Sequence, residues 1–371
     1  MVAVLVLTVN PGSSSLRAHL VDTTDERVVD ELETGQPADS EEALRALGEL
    51  LDRLPAEPIS LIAHRVVHAG KITEPAVVDE TVREALRSAA PLAPAHVPKT
   101  LALLDFLHDR LPDRVQLICP DTAFHRDLPE AAYTYPVPAS WREWGVRRYG
   151  FHGLSYGWAL RRAAELLDRP AGELQVLIAH LSGGCSACAV RDGRSADTSM
   201  GFTPLEGMAM STRSGSVDPG LLFWLLEERG LEPGEVSEQL QHASGLLGLS
   251  GGLSADTRDL VADGSPAARL ALDVFCHRVR RELGALATSL ERLDAVVFTG
   301  DIGWDQPEVT EAVCAGLGTL GVHSGLDSRR EEDAVISSSG VPVLTVRSRE
   351  ELQLAAVAAR QGVSDREGTP V

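Results

Sequence analysis

Continuous apolar runs along this chain end in polar turns. The first run, residues 2–9, is rich in β-branched residues and stops at Asn10-Pro11-Gly12-Ser13-Ser14-Ser15, which predicts a buried strand entering a tight turn. Residues 16–21 then alternate apolar and polar positions, as the returning strand of a hairpin would. A turn of small residues with free backbone N–H groups can wrap a phosphate, although an ordinary hairpin turn would look the same.

The same unit recurs about half a chain length later. Residues 176–180 form a second apolar run, which enters Leu181-Ser182-Gly183-Gly184 and is followed by a strand of small residues. Placing Asn10 on His180 places Asp22 on Asp192, which indicates an internal duplication of one supersecondary unit. Two such domains would bring two phosphate-binding turns to one cleft. The alternative is a chance likeness of two hairpins.

Other strands and helices are predicted from the same kinds of spacing. Short apolar runs predict strands at 61–63, 115–119, 295–298 and 341–346. Apolar residues at helical spacing predict helices at 41–54, 100–111, 154–167, 266–290 and 308–315, and an alanine-rich helix follows Glu350.

Polar side chains stand where several of these runs end. Arg65 follows the 61–63 run, and Asp121 follows the 115–119 run. The carboxyl ends of strands are common places to meet an anion or a metal, although an aspartate there can equally cap the next helix. Arg147-Arg148-Tyr149-Gly150-Phe151-His152-Gly153 lies near the middle of the chain, and residues 197–219 have the glycine, serine and charge content of an active-site loop.

Composition narrows the functional classes. A chain of 371 residues with 44% hydrophobic content can bury two cores, which favours two domains. The formal net charge of −20 opposes binding to nucleic acid or to an anionic membrane. Lys71 and Lys99 are the only lysines, and neither stands in a Gly-Lys-Ser/Thr motif, so a Walker A loop is excluded.

Cysteine usage and the N-terminal residues indicate a cytoplasmic protein. The five cysteines are odd in number and scattered, which suits reduced thiols in a reducing compartment. Cys185 and Cys188 beside His180 have a metal-like spacing, but without a second pair they are better interpreted as buried thiols. The apolar start lacks the features of a signal sequence, and no run is long enough to span a membrane.

Together these motifs resemble those of the acetate kinase and short-chain carboxylate kinase family, within the superfamily of sugar kinases, heat-shock chaperone ATPases and actin. The resemblance covers essentially the whole chain and rests on seven motifs in order: Asn10-Pro-Gly-Ser-Ser-Ser, His64-Arg-Val-Val-His, Asp121-Thr-Ala-Phe-His, Arg148-Tyr-Gly-Phe-His-Gly, Asp197-Thr-Ser-Met-Gly-Phe-Thr-Pro-Leu-Glu-Gly, Thr212-Arg-Ser-Gly and Phe298-Thr-Gly.

The resemblance implies an α/β fold of duplicated ribonuclease H-like (actin-like ATPase) domains flanking a central cleft. The N-terminal domain would cover residues 1–148, joined by a C-terminal helix at about 350–364, and the nucleotide-side domain would cover 149–349. Residues 365–371 would form a flexible tail. The implied activity is reversible phosphoryl transfer between ATP and acetate, giving ADP and acetyl phosphate, by a homodimer that uses Mg²⁺, with Mn²⁺ as the alternative.

Site residues also follow from the resemblance. Arg65 and Arg213 would hold the carboxylate and the moving phosphoryl group, His152 would donate a hydrogen bond to that group, and Asp121 would orient an arginine or the metal shell. One arginine at a transferring phosphoryl group can be worth roughly 10³–10⁵ in rate. The metal positions are Asn10 and Glu350. The phosphate and nucleotide positions are Ser13, Ser15, Arg17, His96, His180, Ser182, Gly183, Gly184, Asp256, Arg258, Gly300, Asp301, Ile302, Gly303 and Asp305.

The acyl group of the substrate would meet Arg65, Val67, Ala95, Phe151 and Pro204. Ala95 stands where the family usually has leucine. Losing about three carbons, at roughly 0.8 kcal/mol per methylene, would make room for a longer chain. We therefore expect propionate or butyrate to be used at least as well as acetate.

The nucleotide side departs further from the family pattern. The second phosphate turn, His-Leu-Gly-Asn-Gly in the family, is His180-Leu-Ser-Gly-Gly here, and the adenosine loop Gly-Gly-Ile-Gly-Glu-Asn is Gly300-Asp-Ile-Gly-Trp-Asp305. ATP is the favoured donor, with pyrophosphate or another non-adenosine donor as the alternative. A non-catalytic sensor of nucleotide or acyl phosphate is an alternative of another class, but such a protein would lack the reacting-group residues that remain here.

Overall fold

The computed structural model describes residues 5–12, 15–54 and 59–367, with the side chains of the last helix described to position 361. The chain divides into two compact units, one formed by Met1–Arg126 with Arg349–Val371 and the other by Asp127–Ser348. No helix in the described ranges is long and apolar enough to cross a membrane.

The strands are, in chain order, β1 (Leu5–Pro11), β2 (Leu16–Asp22), β3 (Arg27–Thr34), β4 (Leu61–Val66), β5 (Ala76–Val77), β6 (Val115–Pro120), β7 (Gln175–Leu181), β8 (Cys185–Arg191), β9 (Arg194–Thr198), β10 (Ala295–Thr299), β11 (Ala334–Val335) and β12 (Val343–Thr345). The helices are α1 (Glu41–Asp52), α2 (Glu80–Ala89), α3 (Val97–Arg110), α4 (Glu130–Tyr133), α5 (Ala139–Glu143), α6 (Gly153–Leu166), α7 (Pro219–Glu227), α8 (Pro233–His242), α9 (Gly245–Leu249), α10 (Thr257–Asp263), α11 (Pro266–Ala287), α12 (Gly300–Asp305), α13 (Pro307–Cys314) and α14 (Glu350–Glu367). Short 3-10 helices lie at Ala90–Leu92, Asp121–His125, Ala171–Glu173 and Gly318–Leu320.

In the described part of the first unit, six strands form one sheet in the order β3-β2-β1-β4-β6-β5. Strands β1, β4 and β6 are parallel neighbours, whereas β2, β3 and β5 pair antiparallel. One face of β1 packs with Leu47 and Leu50 of α1 in a fully buried core. Helix α14 packs against β1, β2, β4 and β6, so the last helix of the chain covers the sheet of the first unit.

The second unit repeats this sheet. Among its described residues, six strands follow the order β9-β8-β7-β10-β12-β11, and each pair has the same parallel or antiparallel sense as its counterpart in the first sheet. Helix α11 packs against β7 and β8, and α6 packs against β7 and β10. The predicted internal duplication is therefore confirmed at the level of strand order and direction.

One detail of the predicted duplication was wrong. Strands β1 and β7 are equivalent, because Gln175–Leu181 begins and ends 170 positions after Leu5–Pro11. In the first hairpin Leu5 pairs with Asp22, but in the second Gln175 pairs with Arg191. The counterpart of Asp22 is therefore Arg191 and not Asp192, because the second turn is one residue shorter than the first.

The division between the units also differs from the predicted boundary at 148. Residues 127–148 belong to the second unit. Hydrogen bonds to the rest of this unit account for the placement, since the Tyr135 hydroxyl accepts the Phe202 N–H at 2.9 Å and Arg148 Nη1 donates to the Ser199 carbonyl at 3.1 Å. The C-terminal helix continues to Glu367, beyond the predicted 364, and positions 368–371 of the predicted tail lie outside the described residues, as do positions 2–4 of the first predicted strand.

Candidate functional site

In the first unit, polar side chains at the end of β1, just after β6 and at the start of α14 meet around Arg65. Arg65 lies near the end of β4, and it donates from Nε and Nη2 to the two oxygens of Asp121 at 2.9 and 2.6 Å. Its Nη1 donates to Asn10 Oδ1 at 3.0 Å and lies 3.5 Å from Glu350 Oε2. These residues come together because β1, β4 and β6 run parallel, so their carboxyl ends share one edge of the sheet.

This group, which we call the Arg65 cluster, consists of Asn10, Arg65, Asp121 and Glu350. Burial opposes the charge on Arg65, but the carboxylates of Asp121 and Glu350 outweigh it and raise the pKa of the guanidinium. The fork-shaped contact with Asp121 fixes the plane of the guanidinium. With one cation and two carboxylates, the Arg65 cluster carries a net charge of −1, which suits a cation.

Asn10 and Glu350 are the predicted metal positions, and they are neighbours here. Asn10 Nδ2 donates to Glu350 Oε2 at 3.4 Å, so an amide and a carboxylate stand side by side at the start of α14. Mg²⁺ binds through one or two carboxylates together with substrate phosphates more often than through an all-protein cage. The donor set fits that mode. Within the described residues there is no group of three or more His, Cys, Asp or Glu that could hold a metal by itself.

The first phosphate turn is described only in part. Ser13 lies outside the described residues. Gly12 donates its N–H to the Ser15 carbonyl at 2.8 Å, and a Cβ on Gly12 would lie 2.5 Å from Ser15 Oγ, so the turn is tight at this glycine. Arg17, which pairs with Asn10 across the hairpin, donates to Glu33 at 2.7 Å in an exposed ion pair. Exposed pairs of this kind are weak, so the contact leaves Arg17 able to meet another anion.

The other predicted residues of this unit lie on connecting segments. His96 is the residue that precedes α3, and Ala95 before it is exposed. Val67, one residue after β4, is buried. The structure thus places Ala95 where an added side chain would meet solvent or ligand and not the core of the first unit.

In the second unit, His152 is held by a chain of hydroxyl groups. His152 precedes α6 with φ = 60°, a left-handed conformation that is uncommon for non-glycine residues. Its Nδ1 is 2.7 Å from Ser186 Oγ, which is 2.5 Å from the hydroxyl of Tyr156. Burial raises the pKa of Tyr156 well above its usual value, so this hydroxyl keeps its proton.

His180 stacks beside His152. The two ring centroids are 4.3 Å apart, with 33° between the ring planes, and His180 Nδ1 is 2.8 Å from Ser155 Oγ. Ser155 and Tyr156 are both on the first turn of α6, while Ser186 is on β8. The start of α6 and the β7–β8 hairpin therefore fix both histidine rings.

Arg213 reaches the same hairpin without an acidic partner. A Cβ on Gly184 would lie 3.4 Å from His152 Nε2 and 3.5 Å from Arg213 Nη1, so this glycine leaves room between the two side chains. Arg213 donates to the Pro204 carbonyl at 2.8 Å, and its Nη1 is 3.6 Å from Met210 Sδ. Of the side chains that the structure describes, no carboxylate forms an ion pair with it. Burial lowers the pKa of the Arg213 guanidinium.

A second set of predicted residues lies around α12. Ser182 Oγ donates to Asp301 Oδ2 at 3.0 Å, which joins the β7–β8 turn to the first turn of α12. Gly300 has φ = 81°, and a Cβ there would lie 2.5 Å from the Leu181 carbonyl oxygen, so only glycine permits this close approach. Ile302 and Gly303 are buried in the same helix.

Arg258 is shared between two acidic residues at the surface. It donates to Asp305 at 2.8 Å, and its Nη1 lies 3.6 Å from Asp256, which also caps α10 by accepting the Arg258 N–H at 2.8 Å. Together with Asp301, three carboxylates lie near the Arg258 guanidinium and raise its pKa. The structure therefore brings Asp256, Arg258 and Asp305 together.

Several residues of the second unit were not predicted. Ser186, Ser155 and Tyr156 hold the histidine rings, and Glu206 accepts hydrogen bonds from Arg148 and from the Tyr135 hydroxyl. Helical spacing alone could have placed Ser155 and Tyr156 beside His152. Phe151 is buried and Pro204 is half-buried. Cys185 and Cys188 are buried, and burial raises the pKa of each thiol to about 12, as expected of structural cysteines.

Comparison with known proteins places these observations in a family. The acetokinase family model matches residues 28–356. An acetate kinase of Synechococcus sp. (strain JA-2-3B'a(2-13)) is 44% identical over 316 residues, which cover 83% of this chain and 77% of that protein. The crystal structure of Porphyromonas gingivalis acetate kinase has a TM-score of 0.86 and 32% identity, covering 96% of this chain and 99% of that one.

A crystal structure of a propionate kinase from Francisella tularensis subsp. tularensis SCHU S4 has a TM-score of 0.87 and 29% identity, covering 95% of this chain and 98% of that one. The predicted α/β fold with two similar actin-like ATPase domains is confirmed by these superpositions. The family model and the curated relative both span most of the sequence, so the chain belongs to the acetokinase family.

Proposed function

We propose that this protein is a carboxylate kinase, which transfers the γ-phosphoryl group of ATP to a short-chain carboxylate and runs reversibly to regenerate ATP from the acyl phosphate. The main support for the proposal is the environment of Arg213. Its half-buried guanidinium lies beside His152 and has no carboxylate partner among the described side chains. Even partial burial of a cation without a counter-ion costs free energy, and an anionic phosphoryl group would compensate that cost.

The reaction needs no proton transfer from the protein. A carboxylate, ionised at neutral pH, attacks the γ-phosphorus and forms a new P–O bond, while the bond from that phosphorus to the β–γ bridging oxygen breaks and ADP leaves with both bonding electrons. Catalysis by the protein then consists of positioning and of stabilising the charge on the transferred group. Arg213 and His152 supply this in the second unit.

His152 acts as a hydrogen-bond donor in this proposal. If the Tyr156 hydroxyl donates to Ser186 Oγ, the Ser186 hydroxyl donates to His152 Nδ1, and the proton of the neutral ring is then on Nε2. Nε2 is the nitrogen nearest the space over Gly184. This tautomer would present an N–H to a phosphoryl oxygen.

Arg65 holds the carboxylate substrate in the first unit, and Asp121 holds Arg65. The buried two-pronged contact keeps the guanidinium in one plane, which leaves it oriented for the second anion. Val67 and Ala95, in the same unit, would contact the acyl chain. Ala95 in place of a larger residue favours propionate or butyrate at least as much as acetate.

A divalent cation accompanies ATP in kinases, and we propose Mg²⁺, with Asn10 and Glu350 as its protein contacts. It would neutralise charge on the phosphate groups during transfer. The net charge of −1 on the Arg65 cluster supports a cation at this place.

We also propose a cytoplasmic homodimer. All five cysteines are free and buried, as suits a reducing compartment. The α7 sequence is almost entirely apolar, yet none of its residues is buried, and Leu221, Phe223 and Trp224 are exposed. A helix that is apolar on all sides is normally covered, and a second copy of a chain with net charge −20 would associate most readily through a neutral apolar surface.

The activity is tested by trapping the acyl phosphate with hydroxylamine. The purified protein, ATP, MgCl₂ and acetate or propionate should give hydroxamate, and each omission should stop it. Absence of hydroxamate with acetate, propionate and butyrate would remove the proposal. Nucleotide binding without turnover in the same samples would favour the sensor alternative.

A further inference from the structure

Three side chains join three separate segments of the second unit. Arg148 Nη2 donates to Glu206 Oε1 at 2.9 Å, and the other carboxylate oxygen accepts a hydrogen bond from the Tyr135 hydroxyl. Arg148 Nη1 also donates to the Ser199 carbonyl at 3.1 Å. We call Tyr135, Arg148 and Glu206 the Glu206 network. Its members are 13 to 71 residues apart in sequence, so tertiary structure alone brings them together.

The network has a glycine at its centre. A Cβ on Gly201 would lie 1.6 Å from Glu206 Oε2 and 1.9 Å from the Tyr135 hydroxyl, so no other residue fits there without displacing both groups. The Tyr135 hydroxyl also accepts the Phe202 N–H at 2.9 Å. The backbone at 201–202 is therefore fixed against the network on both sides.

The loop held by this network carries the contact that orients Arg213. Pro204, whose carbonyl accepts from Arg213 at 2.8 Å, lies between Phe202 and Glu206. Just after Glu206, Gly207 and Ser216 exchange hydrogen bonds at 2.9 and 3.0 Å and close the other end of the loop. Arg148 is four residues before His152. The Glu206 network thus fixes the position of the Pro204 carbonyl. It does so partly through Arg148, which belongs to the same segment as His152.

The charges in the Glu206 network keep Arg148 and Tyr135 protonated. Burial opposes the charge on Arg148, but Glu206 and Tyr135 outweigh it, and the pKa of the guanidinium is raised. Burial and the Glu206 carboxylate both raise the pKa of Tyr135, so the phenol remains a donor at neutral pH. At neutral pH the ion pair and the phenol hydrogen bond can therefore form together.

We propose that Tyr135, Arg148 and Glu206 are positioning residues for phosphoryl transfer, which hold the Pro204 carbonyl and through it set the guanidinium of Arg213 beside His152. The proposal rests on the proposed kinase function. Because Arg213 is assigned to the phosphoryl group during transfer, loosening its orientation lowers kcat and leaves substrate binding nearly unchanged. A misplacement of about 1 Å can cost on the order of 10²-fold in rate.

The test compares Tyr135→Phe and Glu206→Gln with the wild type in the hydroxylamine assay with Mg-ATP and propionate. Each variant should lower kcat by about 10- to 100-fold, with KM for both substrates within about threefold. The matched control is Tyr149→Phe, which removes a phenol hydroxyl from the same segment, where it donates to the Gly145 carbonyl at 2.9 Å. This control should retain the wild-type kcat.

A second readout separates positioning from general structural support. In an Arg213→Lys background, which has no guanidinium to orient, Tyr135→Phe should lower kcat by less than about threefold, since residues acting through one another are not additive. Circular dichroism and thermal melting should show that the variants are folded.

Three outcomes would overturn the positioning role. These are a kcat within twofold of the wild type in both single variants, an undiminished effect of Tyr135→Phe in the Arg213→Lys background, or loss of the native fold in both single variants. If the wild type itself makes no acyl phosphate, the kinase proposal fails. If the wild type is active and the variants match it, only the positioning proposal fails.

Discussion

Ser182 Oγ donates a hydrogen bond to Asp301 Oδ2 at 3.0 Å, so the turn after β7 is already bound to a carboxylate where the family resemblance places donor phosphates. The hydroxyl of Ser182 is thus engaged by an anion of the protein. Asp256 and Asp305 add further negative charge, and both form ion pairs with Arg258. These carboxylates would repel the phosphates of the donor, so the identity of the phosphoryl donor is the property to test first.

Replacing Asp301 by Asn should strengthen ATP binding. The change keeps the side-chain volume and removes one negative charge near the phosphates, which is worth about 1 kcal/mol at 4 Å in a watery environment. We expect KM for Mg-ATP to fall about fivefold. Asp259→Asn is the matched control, because Asp259 also accepts from a serine, Ser254, at 2.7 Å.

The same assay distinguishes the two donors. Wild-type protein should form hydroxamate with Mg-ATP and not with Mg-pyrophosphate. An unchanged KM for ATP in Asp301→Asn would remove the proposed repulsion, and turnover with Mg-pyrophosphate alone would make pyrophosphate the donor.

Ala95→Leu should shift the acyl preference toward acetate. Added carbons beside the substrate would fill the space left for a longer chain, and each methylene is worth roughly 0.8 kcal/mol, or about fourfold. We expect the ratio of kcat/KM for propionate to that for acetate to fall by about tenfold or more. Ala95 is exposed, so the variant should melt with the wild type. An unchanged ratio would exclude this position from the acyl site.

Acid should destabilise the first unit through His64. His64 is fully buried, its Nε2 is 2.7 Å from Gln116 Oε1, and its Nδ1 has no hydrogen-bond partner among the described residues. Burial lowers the pKa of His64 to about 4, although the hydrogen bond with Gln116 acts to raise it. The pKa of His64 in the folded state is below its unfolded value of 6.5. The stability that neutral His64 contributes is therefore fully present above pH 6.5 and is lost as the pH falls toward 4.

The lost free energy of unfolding amounts to roughly 3 kcal/mol. Chemical denaturation at several pH values should therefore show a shallower acid dependence for His64→Gln than for the wild type. The control is His108→Gln, on the exposed surface of α3. Identical slopes for the wild type and His64→Gln would contradict this assignment.

Light scattering should detect the homodimer and its dependence on α7. Trp224 is 44% exposed and Phe223 is 61% exposed, so a charge at either position should leave the fold intact and separate the copies. Phe223→Glu should halve the measured mass relative to the wild type. A wild-type monomer, or a dimer unaffected by Phe223→Glu, would exclude this surface. Trp144→Glu is a control, because Trp144 is 73% exposed on another segment.

Sequence patterns predicted the strands that are apolar throughout. β1 and β7 are buried along nearly their whole length, so their composition alone identifies them. Arg65 and Asp121 were predicted to be functional because each directly follows such a run. The two-residue strands β5 and β11 have no pattern of their own and form only by pairing with β6 and β12.

Contacts between distant segments could not be predicted in the same way. The hydrogen bond between Tyr135 and Glu206 joins residues 71 positions apart, and neither residue has a neighbouring pattern that indicates it. The one-residue difference between the β1–β2 and β7–β8 turns also depends on strand register, which the turn sequence does not specify. The position of residues 127–148 in the second unit follows from similar long-range hydrogen bonds.

We propose that the Arg213 guanidinium stabilises the phosphoryl group as it moves from ATP to a carboxylate. The most direct measurement is the rate of hydroxamate formation from Mg-ATP and propionate by Arg213→Ala, with Arg329→Ala, an exposed arginine paired with Asp327, as the control. We predict a loss of at least about 10³-fold for Arg213→Ala with the fold intact, and wild-type activity for the control. An Arg213→Ala rate within tenfold of the wild type would contradict this role of Arg213.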